Sequence, residues 1–186
     1  MNVQPRHSGS AVTPDEVEYG KHAFPAGIAG PAAGCRRRRR LRSSGSGPVR
    51  VIRSLRGQRN NPGLYYSATL GAHVEFESWL ERDEALALDF DPDVVGFAAQ
   101  PFRLSWTEGA RQQWHVPDFF ARRVDGEGVV IDCRPAARIR ARDEESFAAS
   151  ERACAGMGWA YRLVTGHDAV WLGAATERVG AGAVRR

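Results

Sequence analysis

The chain has 186 residues, 42% of them hydrophobic, with 26 basic against 22 acidic side chains and a formal net charge of +4. That is enough for one core of ordinary size and gives no sign of a second. It excludes a membrane-spanning protein, because no apolar run approaches the length of a span, and a disulfide scaffold, because Cys35, Cys133 and Cys154 are odd in number and widely spaced with no C-x-x-C pair.

Residues 1–48 are rich in Gly, Pro, Ala and Ser, lack a sustained period, and read as a disordered tail. Inside it stand Arg36, Arg37, Arg38, Arg39 and Arg40, with Arg42 just beyond. Lys21 is the only lysine of the chain, so every other basic residue is arginine. Arginine presents a planar donor fork matched to phosphate, which makes this run a candidate nucleic-acid-binding arm; the plainer reading is a solvated extension. The run is followed by Ser43-Ser44-Gly45-Ser46-Gly47 where a signal peptide would need an apolar segment, so a soluble, cytoplasmic protein is expected.

The folded domain is expected over 60–170, with order beginning near Tyr65-Tyr66 and a C-terminal tail over 171–186. From His73 to about Leu88 the apolar positions Val74, Phe76, Trp79, Leu80, Leu86 and Ala87 follow a helical period. Glu75, Glu77, Glu81, Arg82, Asp83 and Glu84 supply its polar positions. Asp91-Pro92 ends this helix, since proline disfavours helical geometry in the residue before it. Strands follow at about Val94–Gln100, Leu104–Thr107, Trp114–Arg122 and Gly128–Arg134. A second helix runs from Asp143 to about Met157, where Gly156 and Gly158 mark its end, and a short strand covers Trp159–Thr165. Helix, strands, helix and strand around one sheet make an α/β layer fold.

The chemistry concentrates in His115-Val116-Pro117-Asp118-Phe119 and Val129-Val130-Ile131-Asp132-Cys133-Arg134-Pro135. Alternation in the second segment puts Asp132 and Arg134 on one face and Val129, Ile131 and Cys133 on the other. The turn Asp125-Gly126-Glu127-Gly128 folds the second segment back antiparallel to the first, bringing Asp118 towards Asp132. Two carboxylates beside a cation suit a divalent metal held against a phosphodiester, since magnesium takes oxygen ligands, keeps several waters and acidifies one of them. A third acid should come from the first helix, where Glu77 and Glu81 share a face. Glu81 is preferred, because its neighbours Leu80, Ala85 and Leu88 lie where the helix packs on the sheet. The plain readings are a wet helix face for the glutamates and a surface ion pair for Asp132 and Arg134. His115 is read as a packed or edge residue rather than a partner of a carboxylate. Trp79, Trp106, Trp114, Trp159 and Trp171 are read as core rather than base-stacking platforms.

The span from about Tyr65 to Gly166 resembles the amino-terminal nuclease domain of TnsA-type endonucleases, subunits of heteromeric transposases. The resemblance rests on Glu77-Ser78-Trp79-Leu80-Glu81-Arg82-Asp83, Asp89-Phe90-Asp91-Pro92-Asp93-Val94-Val95, Gln100-Pro101-Phe102, His115-Val116-Pro117-Asp118-Phe119, Asp132-Cys133-Arg134-Pro135-Ala136-Ala137 and Gly158-Trp159. It implies the PD-(D/E)xK, restriction-endonuclease-like class, with a mixed sheet flanked by helices in α-β-β-β-α-β order. It implies catalytic roles for Glu81, Asp118, Asp132 and Arg134, with the three acids holding Mg2+, or Mn2+ in its place. It also implies double-stranded DNA at transposon ends as substrate, a DDE-type transposase as partner and an AAA+ ATPase as regulator. Arg134 stands where the class usually has lysine; arginine effectively cannot lose its proton, so it can orient water and bind phosphate but not act as general base. The alternatives are a catalytically silent DNA- or transposase-binding module of the same fold and a stand-alone repair or defence nuclease. The chain also stops shortly after the last expected strand, so the carboxy-terminal partner-contact domain of longer family members is not expected in it.

Overall fold

The computed structural model describes residues 16–20, 40–44, 61–108 and 110–183. A hairpin of β3 (Gly63–Ser67) and β4 (Ala72–Phe76) leads into α1 (Trp79–Phe90). Strand β5 (Val94–Ala99) is followed by β6 (Phe102–Glu108) and β7 (Arg111–His115), and then by β8 (Phe119–Arg123) and β9 (Gly128–Cys133). A single turn of 3-10 helix over Ala136–Arg138 precedes α2 (Ala141–Met157), β10 (Ala160–Val164) and α3 (Ala169–Ala183). Ahead of all these lie β1 (Glu16–Gly20) and β2 (Arg40–Ser44).

The central sheet has the order β10-β9-β8-β5, parallel between β10 and β9 and antiparallel elsewhere. Read along the chain, α1, β5, β8, β9, α2 and β10 reproduce the α-β-β-β-α-β order, and the mixed sheet between helices is compatible with a restriction-endonuclease-like core. The β6–β7 hairpin is inserted between β5 and β8 and belongs to a second sheet, β2-β1-β6-β7.

Both faces of the central sheet are covered, which is why β9 reads as an apolar run and not as a clean alternation. On one face Phe120 and Val130 pack with Phe102, Leu104 and Trp106 of β6 and with Ala149, Ala153, Cys154 and Met157 of α2. On the other, Phe97, Phe119, Ala121 and Ile131 pack with Ala85 and Leu88 of α1. Gly128 is needed at the start of β9, because a Cβ there would stand 2.7 Å from the Phe120 ring and 3.0 Å from that of Trp159. The tight β8–β9 turn is the one expected, with Gly126 at φ +87 and the Glu127 N–H donating to Asp125 Oδ1 at 2.9 Å.

Several expectations are corrected. The helix does not begin at His73: residues 72–76 pair with β3, and the helix starts where Ser78 caps it. Val74 and Phe76 fit a helical period, but they also alternate as a strand does, and both are buried in that role. The expected strand Trp114–Arg122 is two strands, because Pro117 has no N–H for a ladder and the chain there passes from one sheet to the other. Within the tail expected over 1–48, β1 and β2 are strands, β1 pairing antiparallel with β6 and so occupying its otherwise open edge. Arg40 and Arg42 fall in β2, whereas Arg36, Arg37, Arg38 and Arg39 lie outside the described residues. Residues 171–183, expected as tail, are helical, with Asp168 capping α3 by accepting from the Trp171 N–H at 2.8 Å. Trp106 and Trp159 are core, but Trp79, Trp114 and Trp171 are 54%, 63% and 41% exposed.

Candidate active site

The β8–β9 ladder pairs Phe119 with Ile131 and Phe120 with Val130. Continued by one residue, the same register sets Asp118 opposite Asp132 at the end of the central sheet. Asp118 is held on both sides. Its Oδ2 accepts from the Cys133 N–H at 2.7 Å, and its carbonyl accepts from the Gln100 N–H at 2.8 Å. Gln100 reaches that position through a left-handed backbone with φ +44, a conformation unfavourable for a side chain with a Cβ. Gln100-Pro101 is therefore more than a strand-ending turn; it fixes the main chain of Asp118.

Asp132 is 2% exposed. The His115 Nε2–H donates to its carboxylate, at 2.8 Å from Oδ1 and 3.0 Å from Oδ2, and the Tyr161 hydroxyl donates to Oδ2 at 2.8 Å. The packed-residue reading of His115 is thus replaced by a second-layer support of the site. Burial first, then the charge of Asp132 and the hydrogen bond to it, pushes the Tyr161 phenol above its ordinary range. It stays a donor at neutral pH. The register Tyr161↔Val130 places it on the Asp132 face of the sheet, a relation no local pattern contains.

Glu81 projects from the first turn of α1 and is buried rather than wet. Ser78 caps the helix: its hydroxyl accepts from the Glu81 N–H at 3.3 Å and donates to Glu81 Oε1 at 2.7 Å, while the Glu77 N–H donates to Oε2 at 2.8 Å. This Ser-x-x-Glu reciprocity stabilises the helix start by about 1 kcal/mol and fixes the carboxylate. Glu77 contributes its backbone to the same arrangement.

Arg134 lies just past β9, half exposed, with its N–H donating to Val164 O at 2.8 Å. Its guanidinium is 3.8 Å from Asp143 Oδ1 at the start of α2. Glu81, Asp118, Asp132 and Arg134 all line one cleft of about 670 Å³, together with His115 and Arg138. Burial first, then the charges of Glu81 and Asp132, pushes the Asp118 carboxyl well above the ordinary range; the Cys133 N–H and Arg134 pull the other way and do not offset this. Asp118 is thus buried beside two further acids. The Cys133 thiol between the acids is pushed up by burial and by Asp118, so it remains a thiol and not a nucleophile.

One turn along α1, Glu84 was expected on the polar face and is instead 1% exposed. Arg162 of β10 bonds its Oε1, and His167 Nε2 stands 3.1 Å from its Oε2. The cation this glutamate meets is Arg162.

Three carboxylates from two strands and a helix, directed to one cleft, have the chemistry of a hard-cation site, and the raised Asp118 is the imbalance a divalent cation would relieve. Among the described residues no three His, Cys, Asp or Glu side chains converge in a metal-binding cluster. In this arrangement the oxygens of Glu81 and Asp132 are turned to Ser78, His115 and Tyr161. These donors orient the two acids, as hydrogen-bond partners of metal-ligating carboxylates do.

Residues 91–166 match the family model of the TnsA-like endonuclease N-terminal domain. The matched stretch contains Asp118, Asp132 and Arg134 and begins at the end of α1, so Glu81 lies outside it. A comparison with curated proteins returned no match. No helix among the described residues is long and apolar enough to cross a membrane.

Proposed function

The chain carries a TnsA-type endonuclease domain, and from that premise we propose that it is a divalent-metal-dependent DNA endonuclease, the subunit of a heteromeric transposase that cuts at transposon ends. The observation that supports this most is the pair Asp118 and Asp132, opposed at the end of the sheet, with Glu81 raising the cost of ionising Asp118. Mg2+ or Mn2+ would be held by Glu81, Asp118 and Asp132. When bound, it supplies charge neutralisation at the scissile phosphate and acidification of water.

The chain's own residues do the rest. Ser78 fixes Glu81, Gln100 fixes the backbone of Asp118, and His115 with Tyr161 fixes Asp132, so the three acids are positioned before DNA arrives. Arg134 offers a permanent charge and a donor fork to a phosphate oxygen, and Arg138 lines the same cleft. Since an arginine keeps its proton, no base is assigned to Arg134. Double-stranded DNA as substrate, a DDE-type transposase as partner and an AAA+ ATPase as regulator complete the proposal.

The test is single-turnover cleavage of a labelled transposon-end duplex with the transposase present. Wild type should give Mg2+- or Mn2+-dependent product, and Asp118→Ala should lose at least about 10³-fold in rate, as removal of a positioned charge group does. Product formed at the same rate by Asp118→Ala would refute the site. The absence of product from every form would favour the catalytically silent binding module.

A further inference from the structure

Trp79 and Trp114 are 54% and 63% exposed, yet both line the acidic cleft. They come from opposite sides of the central sheet. Trp79 is the first residue of α1, beside Ser78 and two residues before Glu81. Trp114 belongs to β7, where alternation turns His115 inward to Asp132 and Trp114 outward to the rim.

Each indole carries an arginine. The Arg82 guanidinium lies 4.8 Å from the Trp79 ring centroid, and that of Arg103 lies 5.2 Å from the Trp114 ring. The second pair follows from register: Trp114 faces Ser105 across the hairpin, which places Arg103 at its diagonal neighbour. Phe76, a buried residue of β4, stands 6.4 Å from Trp79 with its ring tilted by 36°. Neither exposed ring is needed to close a core.

An indole in water, set beside carboxylates suited to a metal–phosphate group, offers its π-face to a base, and the guanidinium against each ring, that of Arg82 also bonded to Asp83, holds the ring in place. A base inside a duplex has its faces covered by its neighbours and offers neither to a side chain. We infer that Trp79 and Trp114 are stacking platforms for unpaired bases flanking the scissile phosphate, so that the cleft takes a DNA strand locally freed from its duplex. In taking DNA as the ligand, the inference rests on the nuclease reading.

The test is binding and not cleavage, and so separates the two. Fluorescence anisotropy with the full chain in EDTA compares a labelled oligothymidine, the same sugar–phosphate chain with abasic positions, and a blunt duplex. Wild type should hold the oligothymidine more tightly than the abasic chain. Trp79→Ala and Trp114→Ala should each weaken oligothymidine binding by about 5- to 100-fold, as loss of one stacked base does. Their effect on the abasic chain should be small, and Trp114→Phe should restore much of the loss. Equal wild-type affinity for the base-bearing and abasic chains, or alanine variants that bind oligothymidine as wild type does, would overturn the inference and leave the rim free for a protein partner. Cleavage without base preference would remove the platforms alone; base preference without cleavage would remove the nuclease alone.

Discussion

Glu81 and Glu84 are one turn apart on the same helix, both buried, and their surroundings are opposite in sign. Glu84 bonds Arg162 of β10 and stands 3.1 Å from His167 Nε2, so the cation beside it comes from within the fold. Glu81 shares its cleft with Asp118 and Asp132, and burial first, then the charges of Glu81 and Asp132, hold the Asp118 carboxyl well above its ordinary range. A protein can use a buried carboxylate as a structural ion pair or keep it for an external cation, and α1 does one at each turn. The difference lies in what the sheet brings opposite: a β10 arginine in one case, strand-end aspartates in the other.

After the loss expected for Asp118→Ala, the next largest effect lies at a permanent cation of the cleft. Arg134→Ala should slow metal-dependent cleavage by about 10²–10³-fold, whereas Arg134→Lys should keep measurable activity, because the lost quantity is charge at a developing phosphate anion. If wild type and both variants give no metal-dependent product, the acids at this end are as purely structural as Glu84.

A smaller effect is expected at the other end of the comparison. Burial pushes Glu84 up to about 7 despite Arg162, from an ordinary 4.5. A carboxyl whose folded pKa is raised destabilises the fold once the unfolded chain ionises. The loss therefore begins above about 4.5, is complete above about 7, and is absent at lower pH. Melting temperatures of Glu84→Gln and wild type should diverge across that window in favour of the variant, by a few degrees, while cleavage changes less than about three-fold. A cleavage defect as deep as that of Glu81→Gln would erase the distinction between the two turns.

The smallest effect concerns the cap. Ser78→Ala should cost about 1 kcal/mol of stability, read by urea denaturation, and should lower cleavage further than that loss explains, because the same hydroxyl orients Glu81. A stability loss with unchanged cleavage would reduce Ser78 to a helix start.

The legible part of this protein is what local pattern carries. Alternation and the Asp-Gly-Glu-Gly turn were enough to place Asp118 against Asp132, since antiparallel register follows from a tight turn. The Ser78-x-x-Glu81 signature was present as well, but the apolar spacing of Val74 and Phe76 suits both periods, and a helix drawn through it hid the cap. Glu84 looked like one more wet-face acid, because only the parallel β9–β10 pairing, across a long crossover, reveals Arg162 above it. Tyr161 and Gln100 were out of reach for the same reason: their partners Asp132 and Asp118 are distant in sequence. Trp106 and Trp159 are core as expected, but Trp79 and Trp114 are not, because size predicts burial only where the fold has an interior to offer. At a helix start and on the outward side of a hairpin it has none.

The most direct test of the acidic cleft as a cation site is thermal melting of wild type and Asp118→Asn at pH 7, with and without Mn2+. Asp118 has a raised folded pKa, so its ionisation costs stability once the pH passes the unfolded value, and the cost is greatest above the folded value. The expected result is that Asp118→Asn melts higher than wild type in EDTA, by roughly 2–4 °C for each kcal/mol relieved, and that Mn2+ raises the melting temperature of wild type but not of the variant. A metal-free variant that melts lower than wild type, or an equal Mn2+ shift in both proteins, would contradict it.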